Sequence, residues 1–571
     1  MTRRGGALTA ALLAPVLVSA ACSAPGAGDP ASPTRSLTTA ASSAVSTSQQ
    51  PAAPRRPNVL VITADDMRAD DLRWMPRTRR LLQHTGLRFL NSFSPNPLCC
   101  PARASFLTGR YSHNHRVLSH EAPYGFGAFD DSRTLATRLH RAGYRTALVG
   151  KYLNGYGEQP TYRGHHPSLH YVPPGWSQWW GSTDHRWARG EGPGGGTYNY
   201  THLTSNVNGS IRTWPGRYTT DVTAGQTQAL VRSFGRRAPS RPWFIWWTPV
   251  APHFGGPREP DDPGTIRRSD GKPVDWVTPA RPAWVRHRFD RAITHGAGTP
   301  PHHPAERNVA DKPRYIRSYP RLTAREKRAE RDVTRQRAEA LFVLDRRVAD
   351  TLATLRSTGQ ASRTIVVLTS DNGYYLGEHR KRQGKITLHE PSIRVPLLMA
   401  GPGIPHGARH DPATVEDLAV TIADWAGTTL PRADGASLRP TIGRGDSGWT
   451  RPVVLEGRMP EPAYRRGRHH HAVMRGLNTV GVRTGRYVLI RYSTGETEVY
   501  DLRRDPLELS SLRGPATRDL RRRLADVWDR YAACAGAECR RPLPADLQTT
   551  PQQTAAIARH QERVRHRYFR Y

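Results

Sequence analysis

Three features of the sequence predict an α/β fold. Runs rich in β-branched and aromatic residues at Asn58–Thr63, Thr146–Val149, Trp243–Trp247 and Thr364–Thr369 read as buried central strands. Segments of helical period lie between them, so strands and helices alternate along most of the chain. Near the C-terminus the pattern changes to closely spaced strands joined at Thr484-Gly485 and Thr494-Gly495, which predicts a small antiparallel sheet. At 571 residues the chain is longer than one ordinary domain, and 37% hydrophobic with 23% charged residues is a globular composition.

Residues 1–22 read as an export signal: Arg3 and Arg4, an apolar centre from Ala7 to Val18, then the small residues Ser19-Ala20-Ala21. The apolar run is too short for a membrane span. Cys22 resembles the lipidated position of a bacterial lipoprotein box, imperfectly because Ser19 stands where leucine is usual; free secretion and a lipid anchor both stay open. Residues 23–56, mostly Ala, Ser, Thr, Pro and Gly, bury too little to fold and read as a linker. The expected location is therefore outside a bacterial cell, with membrane contact only through such an anchor. Of five cysteines, Cys534 and Cys539 are close enough in sequence for a disulfide, and none has zinc-finger spacing. The formal charge of +36 favours anionic partners, although a GC-rich genome would also enrich arginine. No nucleic-acid module is recognisable, so an anionic small molecule or glycan is the expected partner.

The first central strand ends in Asp65-Asp66, at the carboxyl edge where α/β sheets place ligand sites. Two adjacent acids there repel unless a cation joins them; in isolation they would read as a helix cap. A helix over Pro76–His84 and the run Leu87–Phe89 follow. Leu98 to Arg110 then reads as a Pro-broken turn opening a helix at Ala104. A helix bearing Leu135 and Leu139 stops at Gly143, and the next strand delivers Lys151, a residue type usually solvated. Residues 155–217, rich in Gly, Tyr, Trp and His, read as loops whose aromatics either pin the segment or stack on sugar rings. A helix over Thr219–Phe234 precedes the aromatic strand, after which His253 is singled out from 24 histidines by its strand-end position.

Residues 255–320 read as a surface insertion near the substrate entrance. Thr323 and Glu326 have capping-box spacing and open a helix to Arg356, whose stripe Leu341, Leu344, Val348, Leu352 and Leu355 is core. The following strand ends in Asp371-Asn372-Gly373, which alone would read as a turn. Lys385, the strand and turn within Ile393–Gly403, and a helix over Thr414–Ala426 complete an α/β domain expected over 57–445. A subdomain over 446–540 holds strands at Thr479–Arg483, Arg486–Ile490 and Glu496–Asp501 and a helix at Ala516–Ala533. Residues 541–571 read as a charged peripheral tail.

Cys99-Cys100-Pro101-Ala102-Arg103, followed by Thr108-Gly109-Arg110, resembles the sulfatase signature Cys-x-Pro-x-Arg with its later Thr-Gly-Arg. The resemblance runs from about Pro57 to Leu512 and implies an alkaline-phosphatase-like sandwich. In it a mixed, mostly parallel sheet is joined by a C-terminal antiparallel subdomain with a helix. It implies that Cys99 is oxidised to Cα-formylglycine (3-oxoalanine) by a transient partner, a formylglycine-generating enzyme. It implies that Asp65, Asp66, modified Cys99, Asp371 and Asn372 hold one divalent cation. Such an oxygen shell suits Ca²⁺, with Mg²⁺ or Mn²⁺ as alternatives. Arg103, Lys151, His253 and Lys385 then have catalytic roles, with the helix after the motif aimed at sulfate. Gly150-Lys151-Tyr152-Leu153-Asn154 and Val172–Trp176 resemble the N-acetylglucosamine-6-sulfatase-like branch. Asn154 becomes a substrate contact there, because no histidine follows Lys151 as in the commoner form. The implied activity is hydrolysis of a sulfuric ester of a sugar or aryl alcohol. The rivals are a phosphonate or phosphodiester hydrolase of the same superfamily and a non-catalytic exported anion- or glycan-binding protein.

Overall fold

Every residue of Asn58–Ala64 is buried, and this strand lies inside a ten-stranded sheet. The structure is a computed structural model that describes residues 56–187, 192–237, 240–301, 307–457 and 478–570. The expected export signal, Cys22 and the linker up to residue 55 lie outside the described residues. In sheet order the strands are Gly407–Arg409, Leu87–Phe89, Leu397–Ala400, Thr364–Ser370, Asn58–Ala64, Trp243–Thr248, Arg145–Lys151, Gln178–Ser182, His202–Val207 and Ser210–Pro215. The central five, Thr364–Ser370 through Gln178–Ser182, are mutually parallel, and antiparallel strands flank them.

Side-chain alternation along these strands builds two cores. Val59, Val61, Leu148, Phe244, Trp246 and Val367 face one layer, with Leu107 from the helix Cys99–Thr108 and Leu418 and Ile422 from Val415–Trp425. Leu60, Ile62, Val149, Ile245, Trp247 and Leu368 face the other, against Leu230 and Phe234 of Thr219–Arg237 and Leu341, Leu344 and Val348 of Ala324–Ser357. Each such side chain contributes about 1.5–3 kcal/mol on burial, so continuously apolar strands need helices on both faces. The long helix begins as expected: Thr323 Oγ1 accepts from Glu326 N (3.2 Å), and Glu326 Oε2 accepts from Thr323 N (2.8 Å).

Residues 155–217 are not only loops, because three strands extend the sheet there. Their alternation is hidden by Gly, His and Thr, but the two-residue turn Asn208-Gly209, both at positive φ, is a hairpin signal. Most aromatics of this stretch pin the segment: Trp179 packs on Tyr152, Tyr156 and Trp176 at ring distances of 4.9, 5.3 and 5.8 Å. The insertion after residue 255 contains the hairpin Gly264–Arg267 with Pro273–Trp276. Arg281 fastens it to the long helix by bridging Glu259 (2.7 Å) and Glu339 (2.8 Å).

A separate antiparallel sheet runs Val453–Gly457, Thr479–Arg483, Tyr487–Tyr492, Thr497–Asp501, the first strand being unanticipated. Leu524, Val527 and Trp528 of the helix Arg518–Tyr531 join its core, and Cys534 and Cys539 form the disulfide. Residues 541–571 are not a peripheral tail. They carry the helix Pro551–Tyr568, in which Ala558 and Gln561 are buried. Gln561 accepts from Arg394 (3.1 Å) and the Tyr568 hydroxyl donates to the Gly298 carbonyl (3.3 Å). The many charges of this helix mask its single buried face. No helix among the described residues is long and apolar enough to cross a membrane.

Candidate active site

The parallel register pairs Ala64 with Ser370, so Asp65-Asp66 and Asp371-Asn372 leave the sheet side by side. Asp66 turns the chain at φ 65°, a left-handed conformation that aspartate tolerates better than most side chains. Its backbone is held firmly: Asp66 N donates to Asp371 Oδ1 (3.1 Å), Met67 N to Ser370 Oγ (2.9 Å), and Arg337 to the Asp66 carbonyl (2.6 Å). Strain of about 1 kcal/mol or more is thereby fixed where the acids must face one another.

Cys99 is the first residue of the buried helix Cys99–Thr108, not a turn residue five positions before it. Pro101 falls in the first turn, where a missing N–H costs nothing, so the proline starts the helix that it was expected to delay. Gly109, at φ 67°, ends it. Cys99 Sγ lies 3.2 Å from Asp65 Oδ1 and 2.7 Å from Lys385 Nζ. One turn on, Arg103 donates through Nε to Asp371 Oδ2 (2.8 Å) and through Nη1 to the Lys151 carbonyl (2.8 Å). Lys151 Nζ contacts Asp65 Oδ2 at 2.6 Å, and Lys385 Nζ contacts Asp66 Oδ1. His253 Nε2 is 3.6 Å from Asp66 Oδ2, while its Nδ1 lies 2.7 Å from the Phe254 carbonyl. Asn154 stands at the edge, donating to the Tyr198 hydroxyl (2.5 Å) and touching none of the acids.

Three carboxylates thus meet three permanent cations in a buried site. Burial would raise the Asp65 carboxyl, but the charges of Lys151 and Arg103 hold it well below the usual range. Asp66 is also lowered, burial being outweighed mainly by Lys385. Asp371, with burial and Asp65 against it, rises to about 6. Burial lowers His253 to about 4, leaving a neutral imidazole. Burial and the charge of Asp65 push the Cys99 thiol well above its ordinary value, so an unmodified Cys99 is a protonated, weak nucleophile.

The donor set fits a hard cation. Asp66 Oδ2 and Asn372 Oδ1 are buried oxygens without a hydrogen-bond partner. Ligand atoms of Asp65, Asp66, Cys99 and His253 lie within 4.8 Å of one another. Asp371 adjoins this set but is engaged at both oxygens, by Arg103 and by the N–H groups of Asp66 and Asn372.

Three further residues border the site without a sequence signal. Tyr198 lies over Lys151, its ring centroid 5.1 Å from Nζ and 4.8 Å from the His253 ring. His120 is kept neutral by burial and by the ammonium groups of Lys385 and Lys151, and its Nε2 has no hydrogen-bond partner. Phe254 packs on His253 with ring centres 4.2 Å apart in a tilted arrangement, yet is 40% exposed. The Asn199–Gly256 bridge brings the Tyr198 and Phe254 segments together, and Gln159 holds the His120 carbonyl (2.8 Å).

Known proteins match this architecture. The family profile described as Sulfatase covers residues 57–428, and that of the N-sulphoglucosamine sulphohydrolase C-terminal region covers 377–530. The chain is 31% identical over 399 residues to the extracellular sulfatase SULF-1 homolog of Drosophila melanogaster, a match covering 68% of this chain but 31% of that longer relative. It is 28% identical to the N-acetylglucosamine-6-sulfatase of Homo sapiens, covering 71% of this chain and 68% of the relative. The solved structure of BT4656 in complex with its substrate D-glucosamine-2-N,6-O-disulfate superposes with a TM-score of 0.58 at 21% identity, covering 83% of this chain and 97% of the other. The fold is the alkaline-phosphatase-like α/β sandwich with its small C-terminal sheet, and the chain belongs to the sulfatase family, enzymes that hydrolyse sulfuric esters.

Proposed function

We propose that this chain removes sulfate from a sulfated sugar, using a formylglycine made from Cys99 and one divalent cation, Ca²⁺. The observation that carries the reading is the convergence of Cys99, Asp65 and Lys385 beside the unpartnered oxygens of Asp66 and Asn372. A buried neutral thiol in that position is inert, whereas a hydrated aldehyde supplies an oxygen nucleophile and a second hydroxyl through which the sulfated enzyme can collapse. Asp65, Asp66, Asn372 and position 99 would hold the cation, with Asp371 beside them; when bound it supplies charge stabilisation for oxygens that become negative. Arg103 orients Asp371 and the Lys151 carbonyl, keeping the cradle rigid. Lys151 and Lys385 each present N–H groups toward the place where sulfate oxygens would lie, a charge-assisted contact. His253 lines the leaving-group side.

Sulfated amino sugar is the proposed substrate class, on the Gly150–Asn154 motif and the likeness to N-acetylglucosamine-6-sulfatases. Export by the residues 1–22 signal, the extracellular location in the relative's name and the +36 charge fit a polyanionic glycan outside the cell. The test compares turnover of sulfate esters by the native chain and by Cys99→Ala. Turnover should vanish in the variant with the fold intact, and mass spectrometry should find the peptide carrying Cys99 lighter than its thiol form. Normal turnover by Cys99→Ala would sink the reading.

A further inference from the structure

A cavity of about 280 Å³ lies against the C-terminal helix Pro551–Tyr568, where that helix meets the strand Leu87–Phe89 and the turn at Pro506–Leu509. None of the residues placed in the active site lines it. The volume is near the lower end of the ~300–1,000 Å³ of small-molecule sites, enough for one ring-sized body and too little for a glycan chain.

Its walls are charged unevenly: six arginines face it with five acids. Four of the acids are already engaged. Arg68 holds both Asp70 (3.0 Å) and Glu378 (2.8 Å), and Arg88 holds Glu562. Glu390 is shared by Arg394 and, at 3.1 Å, by Arg483. The fifth acid, Glu508, is kept uncharged by burial and by the neighbouring Glu390, and its Oε1 has no hydrogen-bond partner. Arg565 is left with one ionic contact, 3.2 Å to the same Glu390 oxygen that Arg394 occupies. Arg79 has no ionic partner among the described residues. Burial and the charge of Arg394 push the Arg565 guanidinium down to about 9, as expected of a base without a counter-charge of its own.

Between these charges the wall is apolar. Leu72, Phe89, Val395 and Phe569 line the cavity and are otherwise buried. Phe569 stands one helical turn beyond Arg565, and the Arg68 guanidinium lies 5.0 Å from its ring centre. A bare inorganic ion would meet the arginines and leave these side chains facing water. We propose that the cavity binds a small organic oxyanion, its acid group paired with Arg565 and its apolar body packed against the Phe89, Val395 and Phe569 wall. The guanidinium fork suits the two oxygens of such a group.

Binding is measured on the full chain at pH 7 by titration calorimetry and thermal shift. The probes are benzoate, its uncharged counterpart benzamide, and inorganic sulfate. Benzoate should bind saturably and raise Tm. Benzamide and sulfate should each bind about tenfold more weakly or worse, because benzamide lacks the charge and sulfate the apolar body. Arg565→Met should weaken benzoate by about tenfold or more, whereas Lys385→Met at the active site should leave its affinity unchanged. Arg79→Met, outside the Glu390 cluster, should weaken benzoate about threefold or more, and it decides the matter if Arg565→Met gives no cooperative melt. Absence of saturable benzoate binding, equal binding of benzamide or sulfate, or an affinity lost in Lys385→Met and kept in the arginine variants overturns the assignment. The readout is binding and not turnover, so none of these outcomes bears on the sulfatase reading.

Discussion

Glu390 lies five residues beyond Lys385 and gathers three arginines from distant segments. Its Oε2 accepts from Arg394 and from Arg565 of the C-terminal helix (3.2 Å), and its Oε1 from Arg483 of the small sheet (3.1 Å). One buried carboxylate therefore ties the C-terminal sheet and the last helix to the edge of the catalytic sheet. Burial alone would raise its pKa, but the three guanidinium groups bring it down to about 2. A single acid cannot neutralise three bases, and burial with mutual repulsion pushes Arg483 and Arg565 down to about 10 and about 9. A fall from an unfolded value of ~4.3 corresponds to about 3 kcal/mol of stability, and removing one partner of a buried ionic cluster costs about 3–5 kcal/mol. Glu390→Gln should therefore lose about 3 kcal/mol at pH 7, a Tm drop of about 3 °C for a chain of this size. The sign follows from the depressed pKa. The contribution is complete above about pH 4.3 and is lost as pH falls toward 2, so the gap between native and variant should close on acidification. Calorimetric or fluorescence melts of both proteins at pH 7 and at the lowest pH that still gives a folded baseline measure this. Equal melting temperatures at pH 7, or a gap that does not shrink in acid, would refute the reasoning.

Chelation should abolish sulfatase activity and lower Tm, and added Ca²⁺ should restore both, by about 2.7 kcal/mol at a hundredfold excess over Kd. Asn372→Ala should raise the Ca²⁺ concentration needed for the same thermal shift; a Tm indifferent to chelator would exclude a resident ion. Lys381 is buried, donates to Thr387 Oγ1 (2.7 Å) and is pushed by burial down to about 7. Its unfolded form binds a proton between about pH 7 and 10.4 that the folded form does not, so native stability should gain from this group as pH rises through that window. Lys381→Met should accordingly flatten that part of the stability–pH curve, and an unchanged slope in chemical denaturation would count against it.

Much of the site was legible because its chemistry sits at strand ends. Asp65, Lys151, His253 and Asp371 each follow a run whose buried, β-branched or aromatic character needs no partner to be recognised, and parallel strands place their carboxyl ends on one edge. The long helix was equally plain from its Thr323–Glu326 cap and its leucine stripe. Signals failed where the burial pattern depends on remote chain. The strands after residue 178 alternate polar residues that the aromatic cluster of Tyr152 and Trp179 covers, and Val453–Gly457 acquires its meaning only when paired with Thr479–Arg483. In the last helix, charge conceals a buried face that only Arg394 and Gly298 reveal.

Taken alone, the amino-acid order determined the α/β class, the family signature and the candidate site residues, because these follow from local period and from motif chemistry. It did not determine protonation or the helix start at Cys99. Tertiary structure decided that burial draws His253 below its ordinary range, that burial and Asp65 push an unmodified Cys99 thiol upward, and that the Tyr198 ring lies against Lys151 and His253. Those properties arise from burial and from charges contributed by segments far apart in the chain, and only folding brings them within range of one another.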